Sequence, residues 1–145
     1  MATIKEITER GIVAFNQHDA ATLEELCATD VVCTAPGDQV FNGPAECRQF
    51  MQTWFTAFPD GRSTTKRVLY AGEDTSVEEG IFEGTQDGVF ATPVGDIPPT
   101  HRHVHGEYTN IITIRGGKVV TQHLYFDRLQ LLEQLGLVPT PATTA

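Results

Sequence analysis

The periodicity of this chain changes at Pro59-Asp60-Gly61. Before that point apolar residues recur at helical spacing; after it they fall in short β-branched and aromatic runs. The clearest helical segment opens at Asn42-Gly43-Pro44, where a proline suits a first turn because its missing N–H has no partner there anyway. Cys47, Phe50, Met51, Trp54, Phe55 and Phe58 follow at i, i+3, i+4, i+7, i+8 and i+11. That is a wide apolar stripe on one helix, and it must lie against a broad partner. The strand-like segments that follow supply one, as a sheet.

The remaining segments fill in the order. Ile4, Ile7, Gly11, Ala14 and Phe15 share a stripe on a first helix that ends between Asn16 and Asp19. Asp19 can cap a second, short helix from Ala20 to Ala28, with Leu23 and Leu26 inward. A β-branched run, Val31 to Ala35, stops at Pro36-Gly37-Asp38. Beyond the break, strands are predicted over Arg62 to Tyr70 and Thr75 to Thr85. Two more, His101 to Arg115 and Lys118 to Phe126, pair across Gly116-Gly117. Gln86 to Thr100, rich in Gly, Pro and Asp, reads as a long loop of the kind that forms a rim or lid. Arg128 to Leu137 turns helical again.

Helices come first and antiparallel strands later, without βαβ alternation. That is α+β, with helices on one face of a curved antiparallel sheet wrapped around the long helix and open at one end. One domain is expected over residues 1–138, with a loose low-complexity tail over 139–145.

Charge narrows the function. Ten Lys and Arg stand against 19 Asp and Glu, a net charge of −9. Such a surface is repelled by nucleic acid and by anionic membranes, so neither is an expected partner. A small, neutral, hydrophobic ligand suits it better. Cys27, Cys33 and Cys47 lack metal or redox spacing and read as reduced, buried thiols, which fits a cytoplasmic protein. No secretory leader is expected, and no segment is long and apolar enough to span a bilayer.

The candidate chemistry lies near the end of the chain. Asp127 closes a strand rich in aromatic residues, where scarce water would suit a carboxylate to proton transfer. It could instead cap the helix that follows, the less favoured of the two roles. Strand alternation puts Tyr125, His123 and Thr121 on the face assigned to Asp127, where Tyr125 and His123 could hold or polarise a substrate oxygen. On the long helix, Trp54 and Phe58 are core residues or a pocket wall. His101, His103 and His105 alternate toward one side, with Glu107 after them. Successive same-face residues on a strand lie about 6.6 Å apart, too far for three to share one zinc ion, so a solvent-facing edge is expected and no metal site.

Taken together, Phe15-Asn16-Gln17-His18-Asp19, Asn42-Gly43-Pro44, Ala57-Phe58-Pro59-Asp60, Ile97-Pro98-Pro99-Thr100, Gly117-Lys118-Val119, Tyr125-Phe126-Asp127 and Leu132-Glu133-Gln134-Leu135-Gly136-Leu137 resemble the SnoaL-like polyketide cyclase family. It belongs to the nuclear transport factor 2-like superfamily. The resemblance runs from Ile4 to Pro139. It implies a cone-shaped α+β barrel, usually a homodimer, with a hydrophobic pocket between sheet and helices. It also implies ring closure of a polyketide intermediate by aldol chemistry without metal or organic cofactor. The family's catalytic aspartate matches Asp127. Its histidine on the strand before the Gly-Lys turn is replaced by Thr113, with Asn110 nearby. The expected function is therefore a cofactor-independent cyclase or isomerase acting on a polyketide- or terpenoid-like metabolite. The alternatives are a non-catalytic binding or association module of the same shape, and an epoxide hydrolase-like enzyme that activates water.

Overall fold

The computed structural model describes residues 2–138, so the expected tail over 139–145 lies outside the described residues. The chain begins with α1 (Ile4–Asn16) and α2 (Ala20–Glu25). The Thr3 hydroxyl accepts from the Glu6 amide at 3.1 Å and caps α1; Asp19 caps α2 by accepting from the Thr22 amide at 3.1 Å. The second helix is shorter than expected, because the chain is already extended at Cys27. Strands β1 (Cys27–Ala35) and β2 (Gln39–Asn42) precede the long helix α3 (Gly43–Ala57). Gly43 starts α3 at φ +86°, a backbone angle that favours glycine. Pro44 sits in its first turn as expected.

After Pro59-Asp60-Gly61 come β3 (Arg62–Ala71) and β4 (Thr75–Thr85), then β5 (Phe90–Thr92) and β6 (Gly95–Ile97). Last are β7 (His103–Arg115), β8 (Lys118–Phe126) and α4 (Arg128–Gln134). The main sheet runs β2-β1-β8-β7-β4-β3. Its pairs are antiparallel except β1 with β8, which is parallel. The sheet is therefore mixed rather than wholly antiparallel, because the helical segment between β1 and β3 lets the first strand return beside the last.

The segment read as a long loop holds the β5–β6 hairpin, tied down by Gln86. This side chain is fully buried. Its amide nitrogen donates to the Gly88, Ile97 and Pro98 carbonyls at 3.1 Å each, and its oxygen accepts the Thr100 hydroxyl at 2.6 Å. One polar side chain thus satisfies a backbone that has few ladder bonds of its own.

The stripe read from α3 faces the sheet. Phe50, Trp54, Phe55 and Phe58 are buried, and Trp54 is ringed by Phe50, Phe58, Phe82, Phe90 and Phe126 at centroid distances from 5.0 to 6.5 Å. A second cluster joins α1, α2, β1 and α3 through Ile7, Leu26, Val31, Cys33 and Cys47. Among the described residues no helix is long and apolar enough to cross a membrane.

Candidate active site

Between the concave face of the sheet and helices α1 to α3 lies a cavity of about 170 Å³. Ile7, Gly11 and Phe15 of α1, Leu23 and Leu26 of α2, and Met51 and Trp54 of α3 give it apolar walls. Asp127, Gln130, Leu131 and Gln134 line it where α4 meets the sheet. The strands contribute the polar side: Ser76 and Glu78 from β4, Tyr108 and Asn110 from β7, and Gln122 from β8.

Glu78 is the deepest of these charges, with 8 % of its surface exposed. Two hydroxyls donate to the same oxygen, Oε2: Thr65 Oγ1 at 2.8 Å and Tyr108 Oη at 2.9 Å. One oxygen is thus anchored by two donors. Burial, and then the charge of Glu78, push the Tyr108 phenol above its ordinary pKa, so it remains a neutral O–H donor.

The geometry depends on Gly80, which pairs with Tyr108 across the ladder. A Cβ there would come within 2.5 Å of the Tyr108 oxygen and 2.9 Å of the Thr64 carbonyl. Glycine lets the phenol ring lie across β4 and reach Glu78 two residues away.

The structure brings some of the expected residues to this cavity and not others. Trp54 lines it. Asp127 also lines it, at the rim, but it is exposed and its Oδ1 accepts from the Gln130 amide at 2.9 Å as the N-cap of α4. Thr121, His123 and Tyr125 do not face the cavity, and this corrects the expected alternation. The strand ends at Phe126 and Asp127 is the N-cap of α4, so its place at the rim comes from the strand-to-helix junction and not from strand parity. Gln122, Leu124 and Phe126 face inward instead. His123 lies on the outer face, its Nδ1 2.6 Å from the Thr34 hydroxyl. Tyr125 is 56 % exposed. Thr113 pairs with Thr121 on the same outer face, just before a register shift at Ile114. Phe58 is fully buried in the aromatic core and does not line the cavity.

His101, His103 and His105 are exposed as expected, but β7 lies between β8 and β4 and is no edge, and His105 also lines the cavity. Two of them face acids, with His101 Nδ1 2.9 Å from Asp87 Oδ1 and His103 Nε2 3.6 Å from Glu83 Oε2. Cys33 and Cys47 are buried free thiols, while Cys27 is partly exposed and burial pushes it up to about 11.

The cap role of Asp127 has a measurable consequence. Replacing Asp127 with Ala is expected to lower stability by about 0.5–2 kcal/mol, while Asn, itself a good cap, restores most of it. Urea denaturation of the two variants checks this; equal losses would show that the cap bond does not hold α4.

Sequence reasoning passed over Glu78, Tyr108 and Gly80. In Thr75 to Thr85 the apolar residues Val77 and Ile81 suggest the inward face. The buried positions are Ser76, Glu78, Gly80 and Gly84. The available signal was the mismatch itself: an acid and a glycine at alternate positions in a strand long enough to be central.

The polyketide cyclase architecture is now visible in comparison with known proteins. No curated protein matches the chain by sequence. Among solved structures, a protein from Jannaschia sp. CCS1, proposed as a SnoaL-like polyketide cyclase, superposes with a TM-score of 0.82 at 19 % identity, covering 93 % of this chain and 92 % of that one. IdmH of Streptomyces antibioticus, a proposed polyketide cyclase, gives 0.73 at 26 % identity, with 91 % and 97 % covered. AclR of Streptomyces galilaeus, a proposed hydroxylase, gives 0.77 at 23 % identity, with 94 % and 86 % covered. The family model described as SnoaL-like polyketide cyclase matches residues 6–135, and the chain belongs to that family.

Proposed function

We propose that the chain is a cofactor-independent enzyme that holds a hydrophobic, oxygenated metabolite in the cavity, polyketide- or terpenoid-like, and works on it by acid–base chemistry of the cyclase or isomerase type. One observation carries this reading. A carboxylate that is 8 % exposed, anchored through one oxygen by two hydroxyls, is set in the wall of a largely apolar cavity.

A carboxylate so placed can take a proton from a carbon next to a carbonyl. Glu78 Oε1 receives the proton, the C–H electron pair moves into the carbonyl, and an enolate forms. The single Tyr108 O–H proton stays on Glu78 Oε2 and, with Thr65, holds the base in place while the enolate forms. Returning the proton at another carbon isomerises the substrate. Attack of the enolate carbon on a second carbonyl closes a ring, and the new alkoxide takes the proton back from Glu78.

Asp127, the acid expected from the sequence, has a different place in this scheme. At the rim it can exchange protons between cavity and solvent. Ile111, Thr113, Thr121, His123 and Tyr125 belong to the outer face of the sheet, which we assign to pairing two copies of the chain. Their β-branched and aromatic side chains are half-buried or exposed there and suit such a contact.

A surrogate tests the chemistry without the natural substrate. In 5-nitrobenzisoxazole, removal of the ring C–H proton breaks the N–O bond and releases a coloured cyanophenolate. The protein is expected to open it with saturation kinetics and above the rate in carboxylate buffer. Binding of the compound with no turnover would overturn the enzyme and leave a ligand-binding module.

A further inference from the structure

A second, smaller cavity of about 40 Å³ adjoins the first, between α3, α4, the β5–β6 hairpin and the turn that joins β1 to β2. Phe50, Trp54, Phe90, Phe126, Leu131 and Leu132 give it apolar walls, and Trp54, Phe126 and Leu131 line the main cavity as well. Its polar lining is Gln39, Thr53, Thr92 and Arg128, and no Asp or Glu is among its lining residues. In a chain whose net charge is −9, an apolar hollow with one cation and no acid stands apart from the rest of the molecule.

Arg128 is the polar group there whose donors are unspent. The Thr53 hydroxyl donates to the Gln49 carbonyl at 3.1 Å, the Thr92 hydroxyl to the Gly95 carbonyl at 2.6 Å, and the Gln39 amide to the Pro36 carbonyl at 2.8 Å. Among the described residues Arg128 enters no ion pair. Asp127, its neighbour in sequence, is turned to the Gln130 amide instead. Gly37, in the turn between β1 and β2, is what seats the guanidinium. A Cβ there would collide with Arg128 Nη1 and stand 3.2 Å from its Cζ, so the planar group lies over a position that glycine leaves bare. Pro36 and Gln39, on either side of that glycine, line the cavity together with Arg128. The side chain is half-buried rather than sealed off, so a ligand in the cavity can reach it.

We propose that this second cavity is an anion site: Arg128 receives a carboxylate, and the apolar walls cover the carbons next to it. A guanidinium presents its N–H donors as a rigid planar fork, which matches the two oxygens of a carboxylate. Size sharpens the class. A water needs about 10–15 Å³ and benzene roughly 150 Å³. At about 40 Å³ the cavity admits a carboxylate with a carbon or two beside it, and no ring. The site therefore takes a short-chain acid, or the acid end of a longer molecule whose body lies in the main cavity across the shared wall of Trp54, Phe126 and Leu131. An amide or ester of the same shape brings no charge to the arginine and is selected against. This inference goes beyond the acid–base chemistry proposed above and does not depend on Glu78 acting as a base.

Trp54 is the only tryptophan and lines this cavity, so its emission reports occupancy. Propionate and propionamide have the same shape and differ in charge. In titrations at fixed ionic strength the acid is expected to bind roughly tenfold more tightly. Arg128→Gln should remove that preference. Arg10→Gln, which deletes an exposed arginine of α1 and changes the net charge equally, should keep it. Should Arg128→Gln fail to fold, the guanidinium resonances of Arg128 in the unaltered protein read the same contact, and signals that propionate leaves unmoved overturn it. 4-Phenylbutyrate separates the two sources of the acid. Binding much tighter than that of propionate, and weakened in Arg128→Gln, assigns the carboxylate to the ligand of the main cavity; equal binding assigns the site to a free short-chain acid. Equal binding of propionate and propionamide, binding of neither, an unchanged preference in Arg128→Gln, or its loss in Arg10→Gln would each overturn the proposal. An intact acid preference alongside an inactive surrogate assay would sink the enzymatic reading alone.

Discussion

Glu78→Gln is expected to slow opening of 5-nitrobenzisoxazole by about 10²–10⁴-fold, the range that a positioned general base supplies. Gln has nearly the same shape, and its amide oxygen can still accept from the Thr65 and Tyr108 hydroxyls that hold Glu78. The wall of the cavity therefore stays in place, and what disappears is the group able to take a proton. Tyr108→Phe removes one of the two donors that hold Glu78 rather than the base itself, so its effect should be smaller. Asp127→Asn keeps the helix cap and loses an exposed acid, and little change in rate is expected. The comparison discriminates sharply. If Asp127→Asn stops the reaction and Glu78→Gln leaves it intact, the rim acid is the base and Glu78 serves only to fix Tyr108. Circular dichroism of each variant would show that the change lies in chemistry and not in folding.

What the sequence disclosed and what it hid follow from how each element is stabilised. The helix Gly43–Ala57 was legible because burial of one face repeats over four turns, and every aromatic on the stripe obeys it. The helices-then-strands order likewise reports the layer architecture directly. The faces of the strands were less legible. A strand lining a cavity need not bury its most apolar side, since the cavity replaces the core that would otherwise reward it. Val77 and Ile81 face outward while Ser76 and Glu78 face in. On β8 the error had a different origin, in counting through Asp127 as though the strand continued. Asp127 lines the cavity because it stands at the junction of β8 and α4, so its position says nothing of which parity of the strand faces inward. Hairpin β5–β6 escaped notice because its strands span three residues each and are held by the Gln86 side chain rather than by long ladders.

Phe58→Ala is expected to cost about 3–5 kcal/mol. That is a large share of the roughly 5–15 kcal/mol by which a domain is stable. The ring is fully buried and packs edge-on against Phe82 at 5.4 Å and Phe90 at 5.5 Å, and it stacks against Trp54 at 5.8 Å. These neighbours come from α3, β4 and β5, three elements held by different backbone segments, so they cannot simply close over the void. The cost therefore includes a residual cavity as well as the lost transfer energy. Thermal unfolding should show a midpoint lower by roughly 10–20 °C. Tyr70→Ala, at an exposed position near the end of edge strand β3, should shift stability by no more than about 0.5 kcal/mol. The contrast separates the two roles that aromatic residues can have in this chain. A small loss in Phe58→Ala would mean that the aromatic cluster around Trp54 repacks freely. A large loss, with turnover retained in the protein that remains folded, would place Phe58 in the scaffold behind the cavity wall.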